Sequence, residues 1–470
     1  MAPSALAQVN GISVNRGSSR VLEDVSVSLF SGEVVAVMGE NGSGKSTLVE
    51  AFAGLLPLRR GEVVWSTFPD GQTLVRDFEG RRNAPPPMGL TLQKGGICGD
   101  EIVSQRLMVA LLSAGIDPDE ITIKKLLSEW GLAHRSEDRV AHLSGGMSRR
   151  LSILCGLAPL ALSDEPRVAL LDEPSEGLDD SAKHLLRRWL RALASNDHGI
   201  IVATHDKKIS SCADRIIHIE STSVSETSGD PEGEKSELEY SSSFRYQDPI
   251  ISVIRWSLRI ELRNPIETIG RATPAIVALL LSYSLVGEID LESHDSRLLS
   301  ALVLAPGFIS AISTPAIASR LSESDCGRWW KAIAGPMARP AFSITGASIL
   351  LPVPLTYLSW AILSGGVDAE VSSEVLRWLW IPALALIDLA IAATALHLLV
   401  SDLSRSSAAP ASLLLLVLVW PFLELTDALS TIIDHGMEFT FALNDPIPAC
   451  LIASMISALV WLAAILIPDY

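Results

Sequence analysis

Short, uniformly apolar runs recur through the first 220 residues of the chain. Val34–Met38, 168–171 and 200–203 each hold four or five apolar residues, and polar, helix-like stretches separate them. Runs of this length are typical of strands buried on both faces, and strands that alternate with helices favour a parallel sheet with crossover helices. The pattern therefore predicts an α/β domain over residues 1–220, in which 100–133 forms a helical subdomain.

A polar segment, 221–248, follows this domain. It is rich in Ser, Glu, Gly and Asp, so it cannot bury enough surface to fold alone and is predicted to be a flexible linker. Residues 249–270 then show an amphipathic helical pattern, with Arg255, Arg259 and Arg263 recurring every four residues. A basic helix of this kind is typical of the cytoplasmic membrane surface, and an ordinary solvent-facing helix is the alternative.

Long apolar segments dominate residues 271–470. The mean hydropathy of the whole chain is +0.33, which is high for a soluble protein. Segments of about 20 apolar residues can cross a bilayer as helices. The pattern predicts an all-α transmembrane domain with six helices, at 268–287, 298–319, 341–364, 377–400, 407–424 and 446–466.

Charges in the connecting loops predict the orientation of these helices. The loop between spans two and three contains Arg320, Arg328, Lys331 and Arg339, whereas most charges in the loops predicted outside are acidic. Basic loops stay in the cytoplasm, and the first ten residues do not resemble a signal peptide. We therefore expect a multi-pass protein of the cytoplasmic membrane, in contact with membrane lipid, with its first domain and both termini in the cytoplasm.

Overall charge indicates which partners are excluded, and the positions of the cysteines indicate the redox compartment. A net charge of −17 argues against a nucleic-acid partner, because basic side chains hold nucleic acids through their phosphates. The five cysteines are scattered and lack the spacing of a zinc site, so free thiols in a reducing compartment are predicted.

A glycine-rich loop directly follows the first predicted strand. Its sequence, GENGSGKST, fits the phosphate-binding pattern G-x-x-x-x-G-K-[ST], so the first domain is predicted to be a P-loop NTPase. Backbone N–H groups of such a loop and the N-terminus of the next helix bind phosphate oxygens. Lys45 is expected on the β- and γ-phosphates and the Ser46 hydroxyl on Mg²⁺, so ATP and Mg²⁺ are the predicted ligands. The predicted nucleotide-binding residues of the loop are Gly39, Asn41, Gly42, Ser43, Gly44, Lys45, Ser46 and Thr47.

Two carboxylates, Asp172 and Glu173, end the second predicted strand. The aspartate can hold Mg²⁺ directly or through water, and the glutamate can polarise an attacking water. An acidic pair at the end of a strand can instead cap a helix. Here the pair follows a phosphate loop at the matching edge of the predicted sheet, which favours the catalytic interpretation.

The segment Leu143-Ser144-Gly145-Gly146-Met147 resembles the signature motif of ABC ATPases. Gln93, the segment 175–179 and the pair Thr204-His205 match that family's Q-loop, D-loop and H-loop in order and spacing. Residues 8–220 are therefore similar to an ABC ATPase domain over nearly their whole length.

This resemblance implies a site shared by two domains. The chain has one phosphate loop and one signature, so it would be a half-unit that needs a second nucleotide-binding domain, most simply in a homodimer. Lys45 and Ser46 of one domain would face Ser144 and Gly146 of the other across each ATP.

The resemblance also implies roles for three further side chains. Glu173 would be the general base, and His205 would contact the γ-phosphate. Gln93 would bind Mg²⁺ and couple the site to the membrane domain.

Two positions depart from the family's pattern. The family usually stacks an aromatic side chain on adenine, but 8–29 contains no aromatic residue, so Arg16 or Val14 would take that place. Met147 stands where the family usually has glutamine. The serine and both glycines of the signature are intact, so hydrolysis is still expected.

Short pieces of the membrane half resemble the membrane subunit of the cytochrome c maturation heme exporter. These pieces are the RIELRNP stretch at 259–265, Asp325-Cys326-Gly327 and a proline-broken fifth span, while 61–65 is similar to the partner ATPase subunit. The resemblance implies a fusion of two subunits that serves heme delivery, with heme-handling membrane and chaperone proteins as partners.

Other functions remain compatible with the same organisation. An ABC-2 or white-type exporter of a lipid, drug or polysaccharide shares the order of ATPase, linker, amphipathic helix and six spans. A device that uses ATP to move a partner protein is a further alternative.

Three residues or segments of the membrane half allow two interpretations each. Asp388 lies within the fourth predicted span, where a carboxylate is either functional or a hydrogen-bonded structural group. His397 is either a ligand or a packed side chain. The loop 320–340 is compatible with a coupling helix against the ATPase near Gln93 and with two tryptophans that anchor it at the membrane interface, and the two interpretations do not exclude each other.

Overall fold

The chain folds into two compact units. The first contains the residues up to Trp256 together with Arg320–Ala338, and the second contains Ser257–Ser319 and the residues from Arg339 onward. The computed structural model describes residues 5–67, 71–220, 222–231, 240, 243–244, 249–264, 270, 272–288, 296–346, 351–365, 367–402, 416–437 and 445–467.

The strands of the described residues all belong to the first unit. They are β1 (Ala5–Arg16), β2 (Ser19–Phe30), β3 (Val34–Met38), β4 (Arg60–Thr67), β5 (Gly71–Asp77), β6 (Gly89–Thr91), β7 (Ile116–Asp117), β8 (Val168–Asp172), β9 (Gly199–Ala203), β10 (Arg215–Glu220), β11 (Ser223–Ser228) and β12 (Ser243–Phe244).

Helices occur in both units. They are α1 (Lys45–Phe52), α2 (Val103–Ser113), α3 (Glu120–Glu129), α4 (Gly145–Ala161), α5 (Asp180–Ser195), α6 (Lys207–Ser210), α7 (Pro249–Arg263), α8 (Thr273–Glu288), α9 (Ser296–Ile312), α10 (Ala316–Ser322), α11 (Cys326–Ala334), α12 (Ala338–Thr345), α13 (Pro352–Leu363), α14 (Ala369–Trp378), α15 (Trp380–Asp402), α16 (Val419–His435) and α17 (Pro446–Leu466).

A six-stranded sheet forms the core of the first unit. Its strand order is β11-β10-β3-β9-β8-β6, and every pair is parallel except the antiparallel pair β10–β11. The three predicted strands are confirmed as β3, β8 and β9, which are buried almost throughout. The residues that follow β3, β8 and β9 lie at the same edge of the sheet because parallel strands end on the same side.

A second, antiparallel sheet has the order β2-β1-β4-β5. Only the parallel sheet was predicted from the sequence; the second, antiparallel sheet makes the ATPase-like unit a mixed α/β fold. Strand β2 buries Val25, Val27 and Leu29 on one face and alternates them with more exposed residues. Such alternation is the sequence signal of a half-buried strand.

The structure differs from the linker prediction within 221–248. Ser223–Ser228 form β11, which pairs antiparallel with β10, so the central sheet extends past the predicted boundary at residue 220. A strand whose side chains are mostly exposed can still form its backbone hydrogen bonds along a sheet edge. Amino-acid composition alone does not reveal such pairing. The residues of this segment outside 222–231, 240 and 243–244 lie beyond the described residues.

The helical subdomain predicted over 100–133 is confirmed by α2 and α3. Trp130, at the end of α3, packs edge-on against Trp189 of α5 with 5.6 Å between the ring centroids. All five cysteines of the chain lie within the described residues and are buried and unbridged, as expected.

The second unit is a set of packed apolar helices. Trp360 and Leu386 are fully buried in its core, and the rings of Phe308 and Phe422 lie 4.5 Å apart. Many large apolar side chains point outward, among them Leu280 and Met455. An apolar exterior of this kind is typical of a lipid-facing surface.

Three helical runs of the described residues are long and apolar enough to cross a membrane, namely Ser296–Thr345, Trp380–Ser401 and Pro446–Leu466. Thr273–Leu285 and Pro352–Leu363 are shorter apolar helices. Half of the predicted fifth span, 407–424, lies outside the described residues, which resume at residue 416, shortly before α16. The count of six spans and the loop orientation therefore stay predictions.

Two polar residues of α15 have different surroundings. The ring Nε2 of His397 lies 3.0 Å from the Ile312 carbonyl oxygen, which supports the packing interpretation of that histidine. Asp388 is exposed on the helix surface. Helix α7 buries Val253, Trp256 and Ile260 along one side, and its role as a connecting helix at the membrane surface stays a prediction.

A buried histidine makes the stability of the first unit depend on pH. The Arg167 backbone N–H donates to Nδ1 of His198 at 3.1 Å, and burial, followed by the charge of Arg167, lowers the pKa of His198 to about 4. The unfolded histidine titrates near 6.5, so its contribution is complete above that pH and is lost as the pH falls through 4.

We expect this protonation to lower the free energy of unfolding by up to about 3 kcal/mol between pH 6.5 and pH 4. Denaturation midpoints of the detergent-solubilised chain, measured across this window, check the prediction. His198→Asn should show a flatter pH dependence than the wild type, and equal slopes would contradict the assignment to His198.

Candidate functional site: a phosphate-loop cavity beside two carboxylates

The phosphate loop connects β3 to α1 at the carboxyl edge of the central sheet. Gly39, Gly42 and Gly44 have φ angles of 155°, 85° and 113°. A Cβ atom on Gly39 would lie 2.5 Å from Ser43 Oγ, so a side chain does not fit there. Glycine is thus required for the curvature that directs backbone N–H groups of the loop toward an anion.

Lys45, the first residue of α1, lies across the mouth of this loop. Its Nζ donates to the carbonyl oxygens of Gly39 and Glu40 at 3.0 and 3.1 Å. The same ammonium lies 3.8 Å from Oε1 of Glu173. A cation held by the loop's own carbonyls is already positioned for a phosphate bound in the loop.

Ser46 and Asp172 form the pair of oxygens expected for Mg²⁺. The Ser46 hydroxyl donates to Asp172 Oδ1 at 3.0 Å. Burial raises the pKa of Asp172 to about 6, and the hydrogen bond from Ser46 opposes that rise. A hydroxyl and a carboxylate beside a phosphate loop are hard oxygen donors, so the residues present fit a Mg²⁺ ion that is shared with a bound nucleotide.

Glu173 follows β8 in an unusual backbone conformation. Its φ angle is 47°, and its N–H donates to the Ala203 carbonyl of β9 at 2.8 Å. Its Oε2 lies 2.9 Å from Nδ1 of His205, which follows β9. A left-handed non-glycine residue is strained, and such strain is commonly found at functional sites.

Most of these residues, though not Gly39 or Asp172, line one cavity of about 530 Å³. The volume falls within the range of small-molecule sites. The structure therefore brings most of the predicted nucleotide-binding and catalytic residues together. The residues that line the cavity are Arg16, Val21, Asn41, Gly42, Gly44, Lys45, Ser46, Thr47, Gln93, Glu173, Glu176 and His205.

The predicted signature residues lie elsewhere. Among the described residues, Ser144, Gly145 and Gly146 are not part of this cavity; they form the start of α4. The Ser144 hydroxyl accepts from the Met147 N–H at 3.4 Å and caps the helix. Ser144 and Gly145 are exposed, so this helix N-terminus is open to an anion from outside the chain.

The sequence offered two candidates for the base-binding position, and the structure distinguishes between them. Val14 is fully buried within β1 and faces the core. Arg16 lies at the end of β1 and lines the cavity, together with Val21 of β2. The cavity wall beside the loop is therefore formed by a cation and a small apolar side chain.

Arg149 was not among the site residues predicted from the sequence. Its guanidinium is buried and donates to the carbonyl oxygens of Leu92 and Gln93, both at 3.0 Å, and of Asp172 and Glu173 at 2.8 and 2.6 Å. It thereby fixes the backbone of the Q-loop region and of the acidic pair at once. The only sequence signal is a basic pair in an otherwise apolar helix.

Arg149→Met should lower the free energy of unfolding by about 3 kcal/mol or more, because four carbonyls, three of them in buried hydrogen bonds, lose their donor. ATP hydrolysis should fall as well, since the Glu173 backbone loses its support. Arg150→Met is the matched control: Arg150 is partly exposed and pairs with Asp179 at 2.5 Å, so its loss should cost less than about 1 kcal/mol. Thermal unfolding that does not distinguish the two variants would contradict this role.

The loop 320–340 contributes α11 to the same unit as the ATPase residues. The Gly96 N–H donates to the Ser324 carbonyl oxygen at 2.9 Å, and Lys94 lies 3.7 Å from Asp325. Trp329 is buried, and its Nε1 donates to the Leu90 carbonyl oxygen at 3.2 Å. The predicted contact near Gln93 is confirmed, and the tryptophan is a packed side chain, not an interfacial anchor.

Comparison with known proteins agrees with this geometry. A family profile described as ABC transporter matches residues 22–176. The macrolide export ATP-binding/permease protein MacB of Acinetobacter baylyi is 32% identical over 202 residues, which cover 43% of this chain and 29% of that protein. A MacB protein of Yersinia pestis is 34% identical over 204 residues, again 29% of its length. The matched segment thus spans about a third of the length of these relatives.

Solved structures match the same half of the chain. The ATP-binding subunit of an ABC transporter is 25% identical, covers 47% of this chain and 90% of its own, and has a TM-score of 0.40. The ATP-binding cassette MJ0796, in a dimeric post-hydrolysis state with ADP and Pi, is 22% identical with a TM-score of 0.40.

Proposed function

We propose that the chain is an export-type ABC transporter half-unit, whose ATPase domain, matched over residues 22–176 by the ABC transporter profile, binds ATP with Mg²⁺ and hydrolyses it. The observation that carries the proposal is the position of 320–338. This segment lies between apolar helices in the sequence, yet it belongs to the ATPase unit. A segment that packs with the ATPase residues and is continuous in sequence with apolar helices would transmit changes at the nucleotide site to those helices.

In this proposal Glu173 is the general base. Its carboxylate would accept a proton from the attacking water, and His205, at 2.9 Å, would hold that carboxylate in place and contact the γ-phosphate. Lys45 would bind the β- and γ-phosphates. Bound Mg²⁺ would neutralise phosphate charge, and Ser46 and Asp172, with Gln93, would hold it.

A second nucleotide-binding domain completes the proposed site. Ser144 and the two glycines after it lie at an exposed helix N-terminus, outside the cavity that contains Lys45. They would bind the γ-phosphate of a nucleotide held by another copy of the chain. A homodimer is the simplest arrangement because each copy offers one loop and one signature.

Two classes of cargo are candidates. The short sequence pieces at 259–265 and 325–327 favour heme delivery for cytochrome c maturation, with heme-handling partner proteins. The relatives named above are macrolide exporters, which favours a drug or another amphipathic molecule. The outward-facing apolar side chains of the second unit suit either cargo.

Inside-out membrane vesicles test the proposal directly. Vesicles that contain the wild-type chain or Glu173→Gln would receive ATP and, separately, labelled heme, a labelled macrolide or a fluorescent lipid. ATP-dependent uptake of one of these by the wild type, and its loss in the variant, would support export and identify the class of cargo. If a chain that hydrolyses ATP takes up none of them, export of these classes is wrong and mechanical coupling to a partner protein is favoured.

Heme delivery has its own readout in the native host. Glu173→Gln cells would be stained for covalently bound heme while the apo-cytochromes are followed by immunoblot. Loss of staining with apo-proteins still present supports heme delivery. Normal staining excludes heme delivery and leaves the other cargo classes.

A further inference from the structure

A second cavity of the first unit lies away from the phosphate loop. It has a volume of about 450 Å³, and of the described residues that line it none lines the nucleotide cavity. Its wall is formed by the C-terminal end of α3, the residues just after it, and side chains of α4 and α5. The volume is within the range of small-molecule sites, so this cavity is a candidate for a ligand other than ATP.

Trp130 gives this wall a hydrogen-bond donor that lacks an acceptor. The side chain lines the cavity and is 1% exposed, and its Nε1 is buried without a partner among the residues that the structure describes. By contrast, Nε1 of the equally buried Trp65 donates to the Phe52 carbonyl oxygen at 3.0 Å. A buried N–H group without an acceptor costs free energy, and a ligand that brings an acceptor into the cavity would remove that cost.

Two arginines add positive charge to the same wall. Arg188 on α5 is 46% exposed, and Arg150 on α4 is 25% exposed. Each forms one ion pair through Nη2, Arg188 with Glu129 and Arg150 with Asp179. A guanidinium group has five N–H bonds, so one such pair leaves each arginine able to bind a further anion.

Glu129, the carboxylate among the described lining residues, already has several donors. It accepts from Nε1 of Trp189 at 2.9 Å and from the Tyr240 hydroxyl, in addition to its arginine partner. Donors therefore outnumber acceptors in this cavity. Leu185 and the ring of Trp130 add apolar surface to the wall. These groups together fit a molecule that carries a negative group and an apolar one.

We propose that this cavity binds a small organic anion, a carboxylate or a phosphate ester with an apolar group, through Trp130, Arg150 and Arg188. The negative group would accept from the indole N–H and from the two guanidinium groups. The apolar group would contact Leu185. The inference goes beyond the proposed function and does not depend on the cargo.

The ion pair between Arg150 and Asp179 connects this cavity with the nucleotide site. Asp179 ends the segment 175–179, and Glu176 of that segment lines the nucleotide cavity. An anion bound to Arg150 would compete with Asp179 for the guanidinium and loosen this segment. Occupancy of the second cavity should therefore slow ATP hydrolysis.

Small probes of known charge test the binding site on the full-length, detergent-solubilised chain. Saturating Mg²⁺ and ADP would occupy the phosphate loop, and calorimetry would measure binding of phenylacetate, phenyl phosphate and benzylamine. The two anions should bind, whereas benzylamine, a cation with the same ring, should not. Dissociation constants above about 10 mM for both anions, or equal binding of benzylamine, would overturn the proposal.

Two substitutions locate the binding. Arg188→Gln should weaken phenylacetate binding about tenfold, as expected when a hydrogen bond between charged groups is lost, and Trp130→Phe should weaken it about fivefold while keeping an aromatic ring. Arg135→Gln and Trp65→Phe are the matched controls, since Arg135 is 45% exposed and pairs with Asp138 away from the cavity lining. ADP binding shows that each variant has folded. If both cavity variants bind phenylacetate as tightly as the wild type, the anion binds elsewhere and the proposal is wrong.

The rate of ATP hydrolysis is a separate readout. Saturating phenylacetate should lower phosphate release by the wild type at least about twofold, and the same concentration should have a much smaller effect on Arg188→Gln. Binding without any change in the rate would refute the competition with Asp179. Neither measurement requires transport, so failure of the export proposal is distinguishable from failure of this one.

Discussion

Glu173→Gln should slow ATP hydrolysis by about 10²–10⁴-fold, the usual contribution of a positioned general base. Glutamine keeps the shape of the side chain but cannot accept the proton of the attacking water. ATP binding should persist or tighten, because a negative charge close to Lys45 and the phosphate loop is removed. Phosphate release from the purified chain and a separate equilibrium binding measurement would check both effects.

The control for this variant is a surface glutamate. Glu120 in α3 is 87% exposed and lies 4.0 Å from Lys124, so Glu120→Gln should hydrolyse ATP at the wild-type rate. Near-normal turnover of Glu173→Gln would exclude Glu173 as the base. The search would then turn to Glu176, which also lines the cavity.

Lys45→Ala should act on nucleotide binding itself. The ammonium is buried and bound to two loop carbonyls, so it is positioned for phosphate before ATP arrives. Loss of charge-assisted hydrogen bonds that contribute about 3 kcal/mol corresponds to an affinity for ATP about 100-fold lower. Calorimetric titration with ATP and Mg²⁺ measures this change, and hydrolysis should fall in parallel.

A matched surface change separates this effect from a general loss of positive charge. Lys124→Ala removes a lysine that is 72% exposed on α3 and should bind ATP normally. A thermal unfolding measurement confirms that Lys45→Ala still folds. An unchanged affinity for ATP in folded Lys45→Ala would refute the assignment of the phosphate loop.

Some features of this protein followed directly from residue order. The strand 34–38, the loop after it and the acidic pair at the end of β8 were predictable, because a buried parallel strand and its first turn are encoded by neighbouring residues. Parallel strands also end at one sheet edge, so the proximity of Lys45, Ser46 and Glu173 follows from the sequence pattern. Long apolar segments similarly predicted membrane helices, and within the described part of the chain three helical runs satisfy both length and composition.

Other features were decided by contacts between residues far apart in the chain. Strand β11 was predicted to be part of a polar linker because its side chains are mostly polar. Its pairing along the sheet edge depends more on the neighbouring backbone of β10 than on those side chains. The choice between Val14 and Arg16 required the structure of β1. The two positions are two residues apart, so the alternation of side chains along a strand places both on the same face. Only the point at which the strand ends distinguishes them.

The tertiary structure alone placed Arg149, Glu50 and Arg328. A buried arginine or glutamate is tolerated only where distant partners satisfy it, and those partners have no fixed spacing in the sequence. Arg149 meets carbonyls from two loops, and Glu50 meets guanidinium groups on β1 and α11. The sequence by itself thus determined the chemistry at the phosphate end of the site, because that chemistry is carried by adjacent residues. How Arg16 and the loop 320–338 connect to that end of the site through Glu50 was decided by packing.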